Sequence, residues 1–71
     1  MNEILQELEK YRKEDYEFII TVLKEVDVVV FKRDVLLTEI VQEETIEDAL
    51  KEALKYIYRV KRIPKNKRIK L

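Results

Sequence analysis

Six apolar residues in the second half of the chain constrain its fold more than anything else in the sequence. Ile46, Ala49, Leu50, Ala53, Leu54 and Ile57 fall at i, i+3, i+4, i+7, i+8 and i+11. That spacing draws one continuous stripe along a helix spanning 45–62. Thr45 stands where an N-cap belongs, and Asp48 occupies the acid position of a capping box. Glu47 and Asp48 lie at the positive end of the helix dipole; Arg59, Lys61 and Arg62 lie at its negative end. Pro64 stops the helix, since it has no N–H to continue the ladder. A helix this one-sided needs an apolar surface to lie on.

The preceding segment supplies one. Residues 15–42 contain three short runs, YEFIITVL, VDVVVF and VLLTEIV, spaced about ten residues apart and rich in β-branched and aromatic side chains. They predict three strands. The polar breaks KEVD and KRD each hold an Asp, a residue that tolerates left-handed backbone. The competing reading runs the first helix on to about Val26, which would set Asp15 on its apolar stripe. Residues 2–13 form that first helix in either case: Asn2 can cap it, and Ile4, Leu5, Leu8 and Tyr11 share one face. The expected fold is α+β in the order α-β-β-β-α, a three-stranded antiparallel meander with the C-terminal helix packed on one face and the first helix flanking it. Residues 1–63 make one small domain, and 64–71 a basic C-terminal extension. A sheet covered on one face leaves an edge open to pairing with another chain. A ribbon-helix-helix arrangement, with DVVVF as its strand, would need hydrogen-bonding side chains on that strand to read bases. Val28, Val29, Val30 and Phe31 have none.

The stretch VQEETIEDALKEALKYI, residues 41–57, resembles the strand-to-helix step of HicB-like antitoxins. In those proteins a short strand, a polar turn with a Thr cap and an Ala-rich amphipathic helix follow a β-hairpin. The resemblance implies a sheet with one helix across it, and an antitoxin-like regulator as the function class. The α-β-β-β-α order is also similar to double-stranded-RNA-binding domains, whose last helix grips phosphate with basic residues at its start. Here that position reads ETIED, which repels phosphate.

Composition removes most chemistry. The 71 residues include no Cys, no His and no Gly. Disulfides, zinc-ligand sets, thiol nucleophiles and histidine acid–base catalysis are therefore absent, as are glycine-built phosphate loops. No catalytic residue and no cofactor are expected. Glu43, Glu44, Glu47 and Asp48 cluster around one turn. They read as an acidic, solvated helix start rather than a metal site. A chain this short buries only about 60% of its unfolded surface, so a partner is expected, either as a homodimer or within a larger assembly. The acidic N-terminus is wrong for a signal peptide. No apolar run approaches the roughly 20 residues that span a bilayer. The expected location is cytoplasmic, with no membrane partner.

Charge points to binding. Residues 1–54 hold all fifteen acids and seven of the fifteen bases, a net −8, while residues 55–71 hold the other eight bases and a net +8. Arg59, Lys61, Arg62, Lys65, Lys67, Arg68 and Lys70 are the candidate contact residues. They can dock on an acidic protein surface, bind nucleic-acid phosphate by releasing counterions, or serve only as a solubilising end. Ile63, Ile69 and Leu71 interrupt the cations, and RIKL alternates like a short edge strand. Tyr11, Tyr16, Tyr56 and Tyr58 among cations match a single-strand stacking arrangement. The alternative places Tyr56 and Tyr58 at the border of the core with their hydroxyls in water. The reading that follows is a non-enzymatic regulator or inhibitor of a protein target, antitoxin-like or borne by a phage or plasmid. The alternative is a nucleic-acid-binding accessory protein or small structural subunit using the basic tail.

Overall fold

A computed structural model describes residues 2–33 and 37–71. The order is α1 (Asn2–Glu14), β1 (Tyr16–Val22), β2 (Val26–Lys32), β3 (Leu37–Glu43), α2 (Ile46–Lys61) and a 3-10 turn at Lys65–Lys67. This is the expected α-β-β-β-α fold. The strands form an antiparallel meander with β2 in the centre. Residues 15–25 are not a continuation of α1, and DVVVF belongs to the central strand of a three-stranded sheet, which excludes the ribbon-helix-helix arrangement.

The register decides which side chains face the helices. Tyr16, Phe18, Ile20 and Val22 lie beside Lys32, Val30, Val28 and Val26, which lie beside Glu39, Val41 and Glu43. This face is covered along the central strand: Val26, Val28 and Val30 are buried against Ala49, Leu50, Ala53, Leu54 and Ile57 of α2 and Ile4 and Leu8 of α1, while Ile20 and Val22 at the β1 edge stay exposed. The predicted stripe of α2 is thus the core, except for Ile46, which is exposed. Removing apolar area from water is worth about 25 cal/mol per Å², and the core between helices and sheet is built of apolar and tyrosine side chains, so burial holds the helices to the sheet.

The helix ends are satisfied locally. The Asp48 backbone N–H donates to Thr45 Oγ1 at 3.1 Å, as the N-cap reading requires. At the other end Ile63 N–H donates to Tyr58 O at 3.0 Å and Arg62 N–H to Arg59 O at 3.3 Å. These are the two bonds of a Schellman motif, with Arg62 at φ 55° and ψ 44° in the left-handed position usually given to Gly. Among the described residues Arg62 alone has positive φ. Asp27, the Asp of the first break, does not use its tolerance of left-handed backbone, for it sits inside β2. Asp34, Val35 and Leu36 lie outside the described residues. Asn2 already belongs to α1, so it does not cap the helix from outside.

Ladder parity fixes the sheet edges. Arg33 N–H donates to Asp15 O and Leu23 N–H to Glu25 O, each at 3.0 Å, at the two ends of the β1–β2 pair. Hydrogen-bonded pairs recur every second residue. The odd-numbered residues of β1 therefore bond β2. The N–H and C=O groups of Tyr16, Phe18, Ile20 and Val22 point out of the sheet.

Candidate functional site

The two helices run in the same direction. Asn2 and Glu3 share a cleft with Glu47 and Lys51 at their starts, and Lys61 Nζ meets Glu14 Oε1 at 3.3 Å at their ends. The negative end of the molecule is thus where the helices begin, and the positive end is where they finish. Each matches the local dipole.

The C-terminal segment folds back along this helix pair. Ile63 and Ile69 pack on the core. The Tyr58 hydroxyl donates to Glu7 Oε2 at 2.6 Å and accepts the Ile69 N–H at 3.2 Å. Arg68 lies over the Tyr58 ring, 5.4 Å from its centroid, and its Nε donates to Ile63 O at 2.7 Å. Lys70 and Leu71 end at the cleft holding Glu3 and Glu47. RIKL is not a strand: its Ile69 N–H goes to a side-chain hydroxyl instead of a ladder.

The seven candidate cations are consequently dispersed. Lys61 is held by Glu14 and lies over Tyr11. Arg68 fastens the tail, and Arg59 lies over Tyr56. Lys70 sits at the acidic end. Arg62, Lys65 and Lys67 remain together at the end of α2, exposed and without an ion pair among the described residues. On the acidic side, Glu43 ends β3, Glu44 is exposed, and Glu47 and Asp48 open α2. Among the described residues no group of three or more carboxylates is arranged to hold a metal ion.

The tyrosines are core, which corrects the stacking reading; of the two at the border of the core, Tyr58 gives its hydroxyl to Glu7 instead of water. Tyr11, Tyr16, Tyr56 and Tyr58 are all at most 7% exposed. Tyr11 meets Tyr16 and Tyr58 edge to face, at 6.4 and 6.3 Å between centroids. None offers a ring face to a base. Burial pushes the Tyr58 hydroxyl well above the usual phenol range, and the Glu7 carboxylate that it donates to pushes it further. Tyr11 is raised by burial and then by Glu7 and Glu14. Tyr56 is raised by burial and then by Glu39.

What the sequence reading missed lies on the uncovered side of the sheet. Ile19, Val29 and Ile40 stand opposite one another across all three strands. Ile19 is 52% exposed and Ile40 64%, and Phe31 extends the row along β2. Polar pairs close both ends: Arg33 Nε with Glu17 Oε1 at 3.4 Å, and Gln42 Nε2 donating to Asp27 Oδ1 at 3.1 Å. The signal was present in FIITV and VDVVVF, where apolar residues occupy both parities. Among the described residues no helix is long and apolar enough to cross a membrane. No family model matches the chain, and no curated protein or solved structure matches it.

Proposed function

We propose that this protein is a non-enzymatic binding module that acts as a regulator or inhibitor of a protein target, in the manner of an antitoxin. One observation carries the reading: the in-register row Ile19–Val29–Ile40, apolar at its centre and bounded by polar pairs, on a sheet face that neither helix covers. An apolar patch with a polar rim is the anatomy of a protein interface. The test is differential capture from nuclease-treated lysate of the source organism, using the wild-type chain and an Ile19→Asp/Ile40→Asp variant. A protein retained by the first and lost by the second supports the reading. Identical captures from both chains overturn it.

A second reading rests on Arg62, Lys65 and Lys67, which have no ion pair among the described residues. They suit phosphate contact by a nucleic-acid accessory protein. Three phosphates neutralised on duplex DNA give a salt slope of about −3 on log–log axes. Lys65→Ser/Lys67→Ser should reduce it to about −1; an unchanged slope removes this reading.

A further inference from the structure

We infer that the free edge of β1 receives an extended, uncharged strand from a partner protein, which joins the sheet as a fourth strand. This deepens the protein-binding reading above and rests on it.

Backbone polarity comes first. The N–H and C=O groups of Tyr16, Phe18, Ile20 and Val22 point out of the sheet, by the parity set by Arg33 with Asp15 and Leu23 with Glu25. An edge of this kind is a template for another strand. Protected edges carry Pro, inward-facing charges or bulges. On β3 the covered face carries Glu39 and Glu43. On β1 that face carries Tyr16, Phe18, Ile20 and Val22, and Phe18–Leu23 has no charge at all.

Side-chain space comes second. Beside this edge a groove of about 140 Å³ is lined by Leu5, Leu8, Phe18, Ile20 and Leu50. Glu9 and Arg12 stand at its rim, joined by a hydrogen bond from Arg12 Nε to Glu9 Oε2 at 2.7 Å. They cancel each other's charge, so the groove selects apolar side chains. Ile20 and Leu5 are 45% and 49% exposed along it, and Val22, further along the same edge, is 58% exposed. Alternate side chains of an added strand would cover them, while the other set would extend the Ile19–Val29–Ile40 row.

A second copy does not fit this edge. Helix α1 lies over β1, since Leu5, Leu8, Glu9 and Arg12 share the groove with Phe18 and Ile20. Pairing β1 with β1 of another copy sets the strands about 4.8 Å apart and brings both α1 helices over the same strip. Packed helices need about 8–10 Å. A lone strand has no such helix.

The probe is a synthetic peptide of the β1 sequence with Glu17→Gln, YQFIITV, carrying lysines only beyond the paired segment and titrated into the full chain. Bound antiparallel about Ile19, its even-numbered residues meet the outward-pointing groups of Phe18, Ile20 and Val22, Tyr16 being already buried. Hydrogen exchange at Phe18, Ile20 and Val22 should slow at least tenfold, while Glu17, Ile19 and Thr21 stay as protected as before. A peptide N-methylated at its Phe18 and Ile20 positions should not bind, and one N-methylated at Ile19 should. No protection of the three amides, or equal binding of both methylated peptides, overturns the inference. So does their protection at high concentration without peptide, accompanied by a dimer mass, since the occupant is then a second copy. If the Ile19→Asp/Ile40→Asp capture difference persists while the peptide fails, strand addition falls and protein binding stands.

Discussion

The Tyr58 hydroxyl donates to Glu7 Oε2 across 51 positions of sequence, at 2.6 Å, and joins the last turns of α2 to the middle of α1. The same oxygen accepts the Ile69 N–H, so one atom fixes α1, α2 and the returning tail. Replacing Tyr58 by Phe keeps the ring but orphans the Ile69 N–H and removes a donor from a Glu7 side chain only 12% exposed. The expected cost is about 1–3 kcal/mol. Chemical denaturation should show it, together with faster amide exchange at residues 68–71. Unchanged exchange there would mean that Ile63, Ile69 and Arg68 hold the tail without the hydroxyl.

The buried phenols set an alkaline limit. Tyr11, Tyr56 and Tyr58 are all raised, each chiefly by burial. Below pH about 10, the ordinary phenol value, folded and unfolded chains both keep these protons, and the stabilisation is whole. Above it the unfolded chain releases them while the folded chain holds them, so stability falls as pH rises. Tyrosinate absorbance should therefore appear together with loss of helix signal. In Tyr58→Phe the decline of stability with pH should be shallower.

Arg62 supplies a stabilising substitution. A Cβ in the left-handed region costs roughly 1–2 kcal/mol, and Gly costs about 0.5–1 kcal/mol in the unfolded chain. Arg62→Gly should thus gain up to about 1 kcal/mol, raising the denaturation midpoint with an unchanged denaturant slope. A loss instead would show that the Arg62 side chain contributes contacts of its own.

The elements were legible because their signals are local. The six-residue stripe announced α2, Thr45 its start and Pro64 its end, and three β-branched runs announced the strands. The covered face was not legible. In FIITV and VDVVVF apolar residues fill both parities, so the period-two code that selects a face has no contrast. Only the register, with Val28 beneath α2 and Val29 on the far side, breaks the tie. The tail misled for a similar reason. Ile63, Ile69 and Leu71 are too sparse for a period, and the anchor of Ile69 is a hydroxyl eleven residues away. The Tyr58 hydroxyl is taken by Glu7, a partner that spacing within the last helix could not reveal.

Val28 and Val29 are neighbours in one strand and differ only in the face they present. Val28 is fully buried under the helices, and Val29 lies at the centre of the open row. Thr has nearly the shape of Val but adds a hydroxyl. At Val28 that hydroxyl leaves water, which costs about 1–3 kcal/mol if it finds no partner. At Val29 it keeps access to water, and the change should stay within about 0.5 kcal/mol. Paired urea denaturation of Val28→Thr and Val29→Thr measures the difference directly. The same two proteins separate stability from binding. Val29→Thr should retain its fold and lose affinity for the captured protein, whereas Val28→Thr should lose stability and bind normally wherever it remains folded. Equal destabilisation of the two would mean that both sheet faces are covered in the isolated chain, and the open row would no longer be available to a partner.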